Sequence, residues 1–321
     1  MIQQQLFDES PLLNLFPQVC PRCKRSPCAC PWPMTPVVLS LGGGLDSWVM
    51  LLEAMKRGER IDVVVFVDVG HPDDPGEWPG TYRHVREVVV PFCARHGIEF
   101  VEINADNYPV RGGTEGEARS LFAWLYARKQ IPISGNKRVC TRIAKVERFE
   151  AWMDARFPGR EVQVWIGFEA GEEKRAKKDP NAGKKRKARP DRARRQNRFP
   201  LIEWGLCRCR CEAIARASGH PVPRKSACVF CPYASKGDWQ VLAVELPETF
   251  DRIVDLEERK PPTNKNGRKL SIMAYSTKKQ TGTPLRQFIA KPYTRQRKPC
   301  KVCGARVKAT KATGCGYLEA A

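Results

Sequence analysis

Two kinds of residue pattern in this chain could do chemistry: thiols at chelating spacings, and a run of glycines where a helix begins. Cys228-x-x-Cys231-Pro232 sets two thiolates at the spacing that grips one edge of an iron–sulfur or zinc site. Cys20-x-x-Cys23 and Cys28-x-Cys30 form a compact four-thiol set. Zinc prefers four such ligands, and its bonds could order a segment too polar to fold alone. Cys300-x-x-Cys303-Gly304, with Cys315-Gly316, reads as part of a zinc ribbon that lacks one ligand. The chain has 14 cysteines, and its first residues show no basic start followed by an apolar stretch. A cytoplasmic protein with reduced thiols is therefore expected, which favours metal or catalytic roles over disulfides. No apolar run reaches the roughly 18 residues of a membrane span, so no membrane contact is expected.

The glycines are Gly42-Gly43-Gly44, followed by Leu45-Asp46-Ser47. They lie between an apolar run at 37–41 and a helical spacing over 46–57, with Val49, Leu52 and Met55 facing inward. Glycines let the backbone turn tightly and bring amides close to an anion. Ser47 and the amides after it stand at a helix N-terminus, where the dipole favours negative charge. The arrangement predicts a phosphate cradle. The Lys-Ser/Thr pair of a Walker loop is missing, and so is a G-x-G-x-x-G spacing.

Such groups need a frame. Runs at 61–69, 98–103 and 162–168 read as further strands, and 81–96, 117–129 and 143–157 as helices. The alternation predicts an α/β fold: an open, mostly parallel Rossmann-like sheet with helices on both faces and right-handed crossovers. An ordered apolar segment at 199–204 and a helix at 208–218 follow. Residues 236–258 read as one or two helices, interrupted near Pro247. The expected organisation is a Cys-rich segment at 1–35, a nucleotide-binding domain at 36–258, and a tail at 259–321.

The net charge of +21 is concentrated. Residues 174–198 hold 13 Lys/Arg against 2 acids, and residues 259–321 hold 16 against one, Glu319. These two stretches carry more than the whole net charge, so the remainder is slightly acidic. The first also contains Pro180, Asn181, Gly183 and Pro190, which predicts a mobile loop. Basic segments of this kind attract polyanions by counterion release, so a nucleic-acid partner is expected.

The 42–47 turn resembles the PP-loop motif, Ser-Gly-Gly-x-Asp-Ser, of the adenine nucleotide α-hydrolase group, with Gly42 where that motif usually has Ser. Further segments are similar to the phosphoadenosine phosphosulfate (PAPS) reductase family in the same order. They are Asp68-Val69-Gly70-His71 with Pro79-Gly80-Thr81-Tyr82, Val139-Cys140-Thr141-Arg142 with Lys145, Gly167-Phe168 through Glu172 and Arg175, and Phe199-Pro200-Leu201. Cys228-Val229-Phe230-Cys231-Pro232 matches phage-type members and related tRNA-thiolating and DNA-phosphorothioating sulfurtransferases.

The resemblance implies a nucleotide at the carboxyl ends of the first strands, with Arg142, Lys145 and Arg175 on its phosphate or sulfate groups. It implies that Cys140 joins Cys228 and Cys231 in a [4Fe-4S] site, with Cys211 as a candidate fourth ligand or an open iron instead. It also makes Cys315 a candidate tail nucleophile, although the flanking Glu and His of that family segment are absent.

Three readings result. In the first, ATP bound at 42–47 with Mg²⁺ held or phosphates oriented by Asp46 adenylates a nucleic acid, and sulfur then replaces the activated oxygen. In the second, PAPS or its relative APS is reduced to sulfite by Cys315, with a thioredoxin-like reductant. The third is a non-enzymatic metal- and nucleic-acid-binding module.

Overall fold

A computed structural model describes residues 35–110, 119–132, 139–179, 192–224, 226–259, 271–272, 283–290 and 300–304. Strands β1 (Val37–Leu41), β2 (Val63–Val67), β3 (Glu99–Ile103), β4 (Glu161–Ile166) and β5 (Arg194–Arg198) form one all-parallel sheet. Their order is β3-β2-β1-β4-β5. Register explains the apolar runs. Val38 lies opposite Val63 and Val164, and Leu39 opposite Val64 and Trp165. Leu39, Leu41, Val64, Phe66 and Trp165 face one core, while Val38, Val63, Val65 and Val164 face another. Period-two alternation thus feeds two buried faces, as a parallel sheet covered on both sides requires.

Helix α1 (Leu45–Lys56) covers the first face. So do α2 (Pro79–His84), a π-helical turn (Val85–Val89) and α3 (Val90–Arg95), which run on without a break in helical dihedrals. Helix α4 (Leu121–Ala127) starts at Ser120, whose Oγ accepts from the Ala123 amide at 2.9 Å. The other face is covered by α6 (Glu147–Arg156), which continues from α5 (Val139–Thr141) and a second π-helical turn (Arg142–Val146). Single π-turns inside helices are frequent at functional sites, and this one carries Lys145.

The 174–198 stretch departs from the mobile loop expected. Helix α7 (Glu173–Ala176) opens it and β5 closes it, while residues 180–191 lie outside the described residues. Strand β5 reads Arg-Arg-Gln-Asn-Arg and has no apolar alternation, because as an edge strand it needs only one partner and little core. Its arginines cover aromatic rings instead. The Arg195 guanidinium lies 5.2 Å from the Phe149 ring centre and that of Arg198 4.7 Å from Trp165.

Helices α8 (Pro200–Glu203) and α9 (Arg208–Ala217) follow, and α9 packs on α1. A third core joins α4 to α10 (Lys236–Glu245), α11 (Pro247–Glu258) and α12 (Leu285–Ala290). Pro247 separates α10 from α11 because it lacks an amide hydrogen yet suits a first helical turn. The Glu257 carboxylate, almost fully buried, accepts from the Ile272 amide at 2.9 Å and the Leu285 amide at 2.7 Å. That bond set fastens two tail segments to this core. Among the described residues, no helix is long and apolar enough to cross a membrane.

Candidate functional site

The chain runs β1 to β2 to β3 towards one edge of the sheet, then β4 to β5 towards the other. The carboxyl ends of β1 and β4 therefore flank the point where strand order reverses, the crevice in which open α/β sheets place ligands. The glycine turn leaves β1 there. Gly43 has φ +70°, and a Cβ at that position would lie 2.6 Å from Thr81 Cγ2. The Gly42 amide donates to Ser47 Oγ at 3.1 Å, and Ser47 Oγ donates to the Gly44 carbonyl at 3.1 Å. Ser47 thus ties the turn to the helix. Gly44, the N-cap of α1, offers the first-turn amides no side-chain acceptor. Those amides are the donors an anion would use.

Across the crevice lies a group of charges. Arg208 Nη1, from the start of α9, donates to Asp46 Oδ1 at 3.0 Å. Burial pushes the Asp46 carboxyl up, with Arg208 opposing and Glu172 adding to the shift. Burial, and then Asp46, push Glu169 up to about 7, again against Arg208. Carboxylates crowded around one guanidinium raise one another's affinity for protons, and a divalent cation relieves the same repulsion. Arg175 pairs with Glu172 at 3.0 Å, and its guanidinium lies 4.1 Å from the Phe168 ring centre. Phe168 stacks on Phe199 at 5.3 Å and 15°. Sequence reasoning singled out Asp46 and Arg175. It missed Glu169 and Arg208, whose meeting with Asp46 depends on where α9 begins in space.

A second recess is lined by Cys140, Cys228 and Cys231 together with Lys145, Val69 and Phe230. Lys145 Nζ donates to Glu77 Oε1 at 2.8 Å, and Cys228 Sγ is 3.8 Å from the same oxygen. Burial alone would lower the Lys145 ammonium, but Glu77 and Cys228 outweigh it and push it up. Burial and Glu77 push the Cys228 thiol up, and burial does the same at Cys140. A bound metal reverses that preference by taking the thiolate directly. Three soft donors at one recess, with a cation beside them, suit a thiolate-held cluster. Arg142 instead pairs with Glu147 at 2.9 Å and is largely exposed.

Cys211 is not brought to this recess. It is fully buried in the core between α1 and α9, with its sulfur 4.0 Å from the Leu206 carbonyl. The recess therefore has three cysteines among the described residues. Cys300 and Cys303 meet Cys207 and Cys209, all four sulfurs lying within 4.8 Å of one another. The alternating cysteines at 207, 209 and 211 were visible in sequence, but which of them meet a partner was not. Cys20, Cys23, Cys28, Cys30 and Cys315 lie outside the described residues.

One short segment joins the two recesses. A Cβ on Gly44 would lie 2.9 Å from both the Ser226 amide nitrogen and Ser226 Oγ, and one on Gly42 3.4 Å from that Oγ. Cys228 follows two residues later. With consecutive Cα atoms 3.8 Å apart, its Cα is within about 7.5 Å of that of Ser226.

Fold and site together define an α/β protein with a glycine turn at its switch point and thiols beside it. No protein-family model matches the chain. The uncharacterized nin region protein ORF290 of Escherichia phage lambda is 31% identical over 157 residues, which cover 46% of this chain and 52% of that protein. The chain thus spans about half the length of the curated relative it matches. Among solved structures, similarity is found to phosphoadenylyl-sulfate (PAPS) reductase from Candida auris, in its phosphate complex. The TM-score is 0.36 at 15% identity, covering 69% of this chain and 86% of that one. The U34-tRNA thiolase NcsA from Methanococcus maripaludis, with its [4Fe-4S] cluster, gives a TM-score of 0.33 at 18% identity, covering 72% and 74%.

Proposed function

We propose that this chain is a PP-loop enzyme that uses ATP to adenylate an oxygen on a nucleic acid and then replaces that oxygen with sulfur. The observation that supports this best is the 226–228 segment. It lies against the glycine turn at Ser226 and lines the thiol recess at Cys228, so the turn and the thiols are adjacent.

In this reading the first-turn amides of α1 hold the phosphates. Asp46, with Glu169 close by, takes Mg²⁺. Arg208 is positioned to shift from Asp46 to a phosphate oxygen. The acceptor oxygen attacks the α-phosphorus, the bond to the bridging oxygen breaks, and pyrophosphate leaves with its electron pair. Sulfur at the sulfide level then attacks the atom that bears the adenylated oxygen, and AMP departs. The exchange involves no net oxidation or reduction. Cys140, Cys228 and Cys231 would hold the cluster, which would supply a place for sulfur to bind. Lys145, kept charged by Glu77, steadies anionic sulfur at the recess. The basic stretches at 174–198 and 259–321 hold the polymer.

Anaerobically purified protein is expected to release pyrophosphate from ATP, faster with nucleic acid present. Asp46→Asn should slow release by about tenfold or more, equivalent to roughly 1.4 kcal/mol of barrier. Cluster-loaded, folded protein that releases none would overturn the reading. Sulfite formed from PAPS, and lost in Cys315→Ser, would replace it with the reductase.

A further inference from the structure

We propose that Cys207, Cys209, Cys300 and Cys303 bind one zinc ion, and that this ion fastens the 300–304 turn to the start of α9 and holds Arg208 against Asp46. This site is separate from the Cys140 recess and does not depend on the nucleotide reading.

The ligand geometry comes first. Four sulfurs at about 2.3 Å from one tetrahedral ion stand roughly 3.8 Å from each other. The four here all lie within 4.8 Å, so a small closure seats one ion. A multi-iron cluster places metal atoms and sulfides between its thiolates, which needs a wider set. All four cysteines are free thiols.

The turn itself is built for a ligand. The Val302 and Cys303 amides donate towards the Cys300 sulfur. The Gly304 amide donates to the Cys300 carbonyl at 2.9 Å, and Gly304 closes the turn at φ +69°. Yet no residue of 300–304 is buried, and Val302 is 48% exposed. Its methyl 3.3 Å from the Cβ position of Gly171 is too little apolar contact to hold a five-residue turn in place. Metal–thiolate bonds supply what burial does not.

The consequence lies in residue 208. Arg208 stands between two ligands, Cys207 and Cys209, and reaches Asp46 in the first turn of α1 at 3.0 Å. Fixing both neighbours of Arg208 fixes the backbone from which its guanidinium reaches Asp46 and Glu212. Arg208 is a positioning residue for Asp46, and the zinc acts through it.

The experiment uses the full chain. Metal analysis of wild type is compared with Cys207→Ser/Cys209→Ser, Cys300→Ser/Cys303→Ser and Cys140→Ser/Cys228→Ser/Cys231→Ser. The first two variants should each lose one zinc equivalent per chain, and the third should lose none. X-ray absorption at the zinc edge of the third variant should show four sulfurs at about 2.3 Å. A double-mutant cycle of Asp46→Asn and Arg208→Ala in thermal unfolding should show coupling in wild type and at least a halved coupling in Cys300→Ser/Cys303→Ser. Equal zinc in folded wild type and both pairs overturns the site, as do iron with labile sulfide in the third variant, or nitrogen and oxygen ligands at its zinc edge. Unchanged coupling after zinc loss overturns the positioning role. Where a pair fails to fold, the single change Cys303→Ser takes its place in the zinc count, and none of these readouts requires ATP.

Discussion

Gly43 carries the tightest constraint in the turn. Its φ of +70° disfavours any residue with a Cβ, and the Cβ itself would stand 2.6 Å from Thr81 Cγ2. Gly43→Ala should therefore cost about 1–3 kcal/mol in denaturant unfolding. Adding Thr81→Ser removes the opposing methyl and should recover part of that loss, because the dihedral strain remains. Full recovery would assign the whole effect to the clash, and no loss at all would mean the turn relaxes freely. Asp46 presents a different constraint. Its carboxylate is engaged by Arg208 before any ligand arrives, so nucleotide or metal must compete with that pair. The pyrophosphate and coupling experiments read the two sides of that competition.

At the scale of elements, α2 contains a group that makes the fold sensitive to acid. Both ring nitrogens of His84 are buried without a hydrogen-bond partner, and Trp48 meets the ring edge-on at 5.3 Å. Burial, helped by nearby His220, lowers its pKa from 6.5 to about 4. Between those values the unfolded chain binds a proton that the native chain refuses, so stability falls as pH drops from 6.5 towards 4. The contribution is roughly 2–3 kcal/mol. His84→Phe should flatten the stability–pH curve over that window, as measured by urea midpoints, and an unchanged slope would place the acid sensitivity elsewhere. Strand β5 shows another element-level effect. Arginine-rich sequence forms an edge strand here because guanidinium groups lie over Trp165 and Phe149, and Arg198 also pairs with Glu59 and Glu203.

Across the whole molecule, the excess charge is what distinguishes the chain from a neutral α/β protein. Lys184, Lys185, Arg186 and Lys187 form the densest run. If these four side chains meet phosphates of a duplex, changing all of them to Gln should reduce the slope of log affinity against log salt by roughly 3–4. Fluorescence anisotropy with labelled duplexes across a salt series measures it. An unchanged slope would show that the polymer is held by other residues. The same molecule gathers three cysteines at one recess and four in a separate group, and salt titration reads neither, so it tests the basic stretches alone.

The strands, their alternation and the glycine turn were legible in the residues alone, because periodicity and turn chemistry are local and need no knowledge of the chain's path. Val38, Val63 and Val164 announced buried strands before their register was known, and 42–47 announced a tight turn into a helix. Only the tertiary structure decided which distant groups meet. Cys207 and Cys209 join Cys300 and Cys303 while Cys211, one helical turn from Cys207, turns into the core. Arg208 reaches Asp46, and a polar basic stretch ends as β5. Each of these depends on how helices cross the sheet, a relation between segments far apart in sequence that no local spacing encodes.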